Sequence, residues 1–399
     1  MLHRTLALLI VVAVAGACSG DDDDATTADT TAAASTTTTT ISVADAAQAY
    51  TEPGPYPVGI TTLTLEGDVP VEVWYPAAEG TTGTDTYDLH DLVPETLSNL
   101  LTADVPASFT IDALRDADLA DGEFPLVLFS HGSSGFRYQS SFLTSHLASW
   151  GMVVAAPDHW SRDLYHFTDR ILGGPEVTPN DSVDDLRFTR MLMETETATA
   201  GSRFEGHVAA DMVAAMGHSA GGFSALALAS DPEIDGYVSL ASGAGGGRPD
   251  TSTSAPPEEV VMPDKPSLYM AGKADAVASW DTLTQVAFDA ALAPSWFWAL
   301  ESVGHNGFSD LCTFGDGTGV IGVAVASGLG GFLDTNPEFR RLGEDGCLPP
   351  AAPVEETFPI VEHAATAFLR NLFGVDPEPV GLGPDVADEY AVPVEIEEK

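Results

Sequence analysis

The chain has 399 residues, of which 44% are apolar, enough to bury a large core. Its 15 lysines and arginines stand against 60 aspartates and glutamates, a net charge of −45. Such a field repels phosphate backbones and anionic surfaces and excludes nucleic acid as the expected partner; a solvated acidic shell around an exported protein accounts for it.

Residues 1–17 read as an export signal. Arg4 supplies a thin positive region, and the apolar run from Leu6 to Ala17 is too short to span a bilayer. The ending Ala15-Gly16-Ala17-Cys18 resembles a bacterial lipoprotein cleavage box, in which the cysteine becomes the acylated first residue. Ala15 stands where such a box more often has leucine, so cleavage without acylation is the alternative. The expected location is therefore the outer side of the cell membrane, held by lipid on Cys18, or the medium. The chain has 3 cysteines; with Cys18 acylated, Cys312 and Cys347 are left to pair with each other. Residues 18–47, rich in Thr, Ala and Asp, bury too little to order themselves and read as a tether.

Residues 48–375 alternate strand-like and helix-like runs. The strand-like runs are ITTLTLEG, VEVWYP, FPLVLFSHG, GMVVAAPDH, DMVAAMGHS, DGYVSLAS, PSLYMAG and WFWALES. The helix-like runs begin with FRYQSSFLTSHLASW and end with VEHAATAFLRNLF. This rhythm predicts one α/β domain, a mostly parallel sheet with helices on both faces and two early antiparallel strands at an edge. Residues 84–123 interrupt it with LVPETLSNLL, either an insertion over the site or packing filler. Residues 376–399, acidic and Pro-rich, read as an irregular tail. A monomer is expected.

Gly217-His218-Ser219-Ala220-Gly221 stands where a strand pattern gives way to an Ala-rich helix pattern. It matches a nucleophile elbow, in which Gly217 and Gly221 permit a tight turn that lifts the Ser219 hydroxyl above the sheet. A hydroxyl needs a base, and the base an orienting acid. Downstream lie only His305 and His363. His305 follows an aromatic strand in a Gly-flanked loop and is the expected base; His363 falls mid-helix. Asp275, just past the strand PSLYMAG, is the expected acid. Asp235 precedes a strand, Glu301 lies within one, and Asp310 follows His305 too closely. The oxyanion hole is expected from the backbone N–H groups of Ala220 and of Ser133, after the strand ending Ser130-His131-Gly132. His131 is read as a supporting residue, His159 as a pocket wall or a packed turn. Phe136, Trp160 and Trp280 are candidates for an apolar acyl pocket or for the core. No metal or organic cofactor is required, and the Asp316-Gly-Thr-Gly stretch lacks the spaced acids of a calcium loop.

Three stretches then carry a resemblance: LTLEG with VEVWYPA, the long run FPLVLFSHGSSGFRYQSSFLTSHLASWGMVVAAPDH, and GHSAGG. Together they resemble the branch of α/β-hydrolases that holds platelet-activating-factor acetylhydrolases, dienelactone-hydrolase-like enzymes and cutinase-type polyester hydrolases. The likeness covers roughly Tyr56 to Phe373. In the acetylhydrolases the acid follows the strand directly after the elbow, and YVSLASGAGG has none there. Asp275 instead matches the placement one strand later of the polyester and dienelactone relatives. The resemblance implies a serine hydrolase of carboxylic esters. The alternatives are an exported peptidase or acyltransferase with the same residues, or a catalytically silent cell-surface binding protein.

Overall fold

The computed structural model describes residues 49–244 and 261–399. The signal at 1–17, the tether at 18–47 and the lipid attachment at Cys18 lie outside the described residues. Strands β1 (Val58–Thr64), β2 (Pro70–Pro76), β3 (Asp85–Asp88), β4 (Ser108–Ile111), β5 (Leu114–Arg115), β6 (Phe124–Ser130) and β7 (Val153–Pro157) come first along the chain. They are followed by β8 (Val208–His218), β9 (Gly236–Leu240), β10 (Ser267–Gly272), β11 (Ser295–Leu300) and β12 (Val394–Glu398). All but β3 and β4, which pair as a separate hairpin, join one 10-stranded sheet in the order β12-β11-β10-β9-β8-β6-β7-β2-β1-β5. Strands β6 to β11 run parallel; β2 meets both β7 and β1 antiparallel, β12 meets β11 antiparallel, and the short β5 pairs with β1 in parallel. The architecture is that of the α/β-hydrolase fold.

The helices are α1 (Glu95–Ser98), α2 (Ser141–Ser149), α3 (Leu164–Ile171), α4 (Ser182–Ala198), α5 (Ala220–Leu228), α6 (Gln285–Ala290), α7 (Gly319–Ala324), α8 (Gly330–Thr335), α9 (Pro337–Glu344) and α10 (Val354–Leu372). Strand β6 is buried along its whole length, and its alternation shows why. Val127 and Phe129 pack on the face covered by Leu143 and Leu147 of α2 and Ile360 and Phe368 of α10. Leu126 and Leu128 pack on the other, under Leu186 of α4, Leu226 of α5 and Phe288 of α6. A strand covered on both faces loses the polar alternation of a half-exposed one and reads as an unbroken apolar run.

The reading of 376–399 as an irregular tail is corrected. Val394–Glu398 forms edge strand β12 against β11, and Leu382, Val386, Val392 and Val394 are buried in the core. The acids misled: in Val-Glu-Ile-Glu-Glu they alternate with apolar side chains, so one strand carries both a core face and a charged face. Lys273 pairs with Glu395 there at 2.6 Å. Charges on a closing strand also discourage further pairing at the sheet edge.

On the face of α2 and α10, carboxyl groups are buried with little compensation. Asp310 accepts from the Ser141 hydroxyl at 2.8 Å and the Phe142 N–H at 3.0 Å, and burial still raises its pKa to about 7. Glu362 on α10 is pushed up to about 8 by burial and by the nearby Asp310 and Glu52. His146 lies 3.8 Å from Glu362 and is driven down to about 4 by burial. A carboxyl whose folded pKa exceeds its unfolded value binds more protons folded than unfolded, so its contribution to stability falls as pH rises. Above pH 6.5, the ordinary histidine value, the buried histidines no longer oppose this trend. Tm is therefore expected to fall between pH 6.5 and about 8, with up to about 1.4 kcal/mol per pH unit from Glu362. Calorimetry of Glu362→Gln should show a flatter profile over that range; an unchanged slope would remove Glu362 as the cause.

Candidate active site

Nothing larger than glycine fits the turn that ends β8. A Cβ on Gly217 would lie 2.2 Å from the Gly221 carbonyl oxygen, and one on Gly221 would lie 1.9 Å from that of Ser130. Between them Ser219 adopts φ 56° and ψ −122°, a strained conformation for a residue with a side chain. Its N–H donates to the Leu240 carbonyl at 2.8 Å, which ties the elbow to the end of β9. Helix α5 starts at the next residue, so its N-terminal dipole points at the hydroxyl.

The structure brings Ser219, His305 and Asp275 together. Ser219 Oγ lies 2.9 Å from His305 Nε2, and His305 Nδ1 lies 2.8 Å from Asp275 Oδ2. The other Asp275 oxygen accepts the N–H groups of Val277 at 2.8 Å and Ala278 at 2.7 Å, which fixes the carboxylate plane. His305 and Asp275 are buried, whereas Ser219 is reachable. A carboxylate on Nδ1 holds the proton there and leaves Nε2 free to take the hydroxyl proton during attack.

The proposed oxyanion donors flank the same hydroxyl. Among the described residues, the N–H groups of Ser133 and Ala220 have no hydrogen-bond partner within the fold. A Cβ on Gly132 would sit 3.2 Å from the Ser219 Cβ, so the strand end carrying Ser133 passes directly over the elbow. His131 packs beneath: Nδ1 donates to the Gly132 carbonyl at 2.8 Å and Nε2 accepts the His159 N–H at 3.0 Å. Burial, and then the charges of His159 and Arg162, hold its pKa well below the usual value. It therefore stays a neutral brace.

The remaining candidates lie elsewhere. His159 bonds to Ser130 and Asp185 and does not line the cavity. His363, on α10, is bound to the Gly381 carbonyl and the Tyr390 hydroxyl. Asp235 accepts the Val213 N–H, Glu301 pairs with Lys273, and Asp310 caps the start of α2. Phe136 lines the cavity, while Trp160 and Trp280 are half-buried against the core of the opposite face.

Several residues that hold the site escaped the sequence reading. Gln139 accepts the Gly132 N–H at 3.0 Å and donates to His218 Nδ1 at 2.8 Å; His218 Nε2 then donates to the His305 carbonyl at 2.9 Å. Burial pushes His218 down to about 3, so this bridge stays neutral. Arg162 donates to the His131 carbonyl at 3.1 Å and the Ser130 hydroxyl at 2.7 Å, fixing the strand end from below. Asp345 accepts the His305 N–H at 2.6 Å and the Ala276 N–H at 3.0 Å, clamping the histidine loop to the aspartate loop. The disulfide Cys312–Cys347 closes behind it. A signal for Asp345 existed: pairing Cys312 with Cys347 returns residue 345 to the loop of His305. Asp345→Ala leaves both N–H groups unpaired. It is expected to lower kcat about 10²-fold, the scale of an ångström-sized misplacement, with KM nearly unchanged. Steady-state kinetics alongside a melting curve would check this; a loss that merely follows unfolding would deny Asp345 a positioning role.

The site opens into a cavity of about 310 Å³. Leu97 and Leu101 from the 84–123 segment line it, together with Phe167 and Ile171 from α3, while β5 of the same segment joins the main sheet. The larger share of the roof comes from the stretch around α7, α8 and α9, which no sequence signal marked.

Comparison with known proteins supports the family resemblance. Residues 49–170 match the family model described as platelet-activating factor acetylhydrolase, isoform II. A platelet-activating factor acetylhydrolase from Cavia porcellus is 31% identical over 137 residues, 29% of this chain. The chain spans 30% of that relative's length. The segment matched by the family model contains β6 and the strand end over the elbow, while Ser219, Asp275 and His305 lie beyond it.

Proposed function

We propose that the chain is a serine hydrolase of carboxylic esters that works through an acyl-enzyme. The observation that carries this reading is the unbroken line from Ser219 Oγ through the His305 ring to a buried Asp275, at 2.9 and 2.8 Å. Ser219 attacks the ester carbonyl while His305 Nε2 takes its proton. The tetrahedral oxyanion is held by the N–H groups of Ser133 and Ala220. His305 returns the proton to the departing alcohol, and water, activated by the same ring, releases the acyl group. Asp275 keeps Nδ1 protonated and offsets the imidazolium charge. The test is hydrolysis of p-nitrophenyl butyrate beside the matching anilide. Ester turnover with a much slower anilide is expected; anilide turnover without ester turnover would make it a peptidase, and neither would leave a binding protein.

We also propose that the protein is exported and tethered by lipid on Cys18. In support, Cys312 and Cys347 form a disulfide, which suits an oxidising compartment and leaves Cys18 for another use. A Cys18→Ser form should shift from the membrane to the soluble fraction; a wild type that is already soluble would refute the anchor.

A further inference from the structure

The cavity above Ser219 has a one-sided chemistry. Its polar walls are the strand-end groups around the serine, among them Ser133, Gln139 and His305. The segments that roof it contribute mainly hydrocarbon, Leu97, Phe167, Ile171, Val320, Phe332 and Leu342 among them, and the hydroxyls of the two roof residues Thr168 and Ser327 are turned back onto the carbonyls of Leu164 and Val323. In a chain that is 19% charged, no Asp, Glu, Lys or Arg lines this space among the described residues. Burying an ionic group there would strip its water with nothing to replace it. The roof residues Ile171 and Leu172 are each 46% exposed and Phe332 is 40% exposed, so the apolar lining continues to the surface.

We infer, on the reading of the site as a serine esterase, that the substrate is an uncharged ester bearing a flexible hydrocarbon tail that fills this cavity. The cavity's 310 Å³ is far more room than an acetyl group fills and accommodates a tail of several carbons. An acetyl group would leave most of the space without partner atoms and forgo the contacts its walls offer. The same chemistry can come from the acyl or the alcohol side of the ester, and the cavity serves either.

Two substrate series separate these sources: p-nitrophenyl esters from acetate to palmitate, and acetate esters of straight-chain alcohols, all below their micellar concentrations. A fully buried methylene is worth about fourfold in binding, so even partial burial should raise kcat/KM more than tenfold from two carbons to ten in at least one series. A rise in the first series places the tail on the acyl side, and a rise in the second places it on the alcohol side. Ala324→Trp and Leu97→Trp narrow the cavity from different roof segments and should each move the optimum to shorter tails. Having two variants guards against one that misfolds. Ser219-dependent hydrolysis that is fastest on acetate or flat with length in both series would overturn the tail inference while leaving the esterase reading intact. No Ser219-dependent hydrolysis of any member would instead end the esterase reading.

Discussion

Ser219→Ala is expected to lower kcat for ester hydrolysis by about 10⁶-fold, the loss seen when the nucleophile of a triad is removed. The residual rate should still exceed that in water, because the Ser133 and Ala220 donors and the cavity remain. The substitution should not unfold the protein. Among the described residues the Ser219 hydroxyl bonds only to His305, while the strained backbone at φ 56° is held by Gly217, Gly221 and the Leu240 carbonyl. Alanine keeps that strain. A Tm within a few degrees of wild type, beside the kinetic loss, separates chemistry from folding.

Asp275→Asn is expected to cost about 10⁴-fold in kcat, with KM little changed. The asparagine side chain is nearly isosteric, so the effect comes from the proton. The Val277 and Ala278 N–H groups donate to one carboxyl oxygen, which makes that position the amide oxygen of the variant. Its NH₂ then faces His305 Nδ1 at the 2.8 Å site now taken by Oδ2. A donor there forces the proton onto Nε2, where it opposes the Ser219 hydroxyl. Raising the pH should not restore the rate. Near-normal turnover at neutral pH would mean that the acid is elsewhere.

What the sequence could show follows from where each signal is local. The parallel strands announce themselves because both faces are buried: β6 and β10 are buried throughout and apolar but for a terminal serine each. The elbow is legible because its steric demands fall on residues two apart from the serine. His305 and Asp275 are legible because each follows directly on a strand whose end must lie at the sheet's carboxyl edge. The roof is not. Residues 319–335 mix glycines with apolar side chains shared between the cavity and the core, so no helical stripe stands out. Helix α3 is amphipathic but spans only the eight residues Leu164–Ile171, shorter than the window over which a helical period argues for a helix. Gln139, His218 and Arg162 act through single hydrogen bonds that leave no mark on spacing, and for Asp345 the one signal was the pairing of Cys312 with Cys347. The strand β12 failed for the opposite reason, since its composition pointed away from the pairing its backbone makes.

The most direct measurement is rapid acid quench of the protein during turnover of a p-nitrophenyl ester, followed by peptide mass analysis. The account predicts a burst of p-nitrophenol and an added acyl mass on the peptide that contains Ser219, absent in Ser219→Ala. A linear onset with no adduct, or an acyl mass located on another residue, would contradict it.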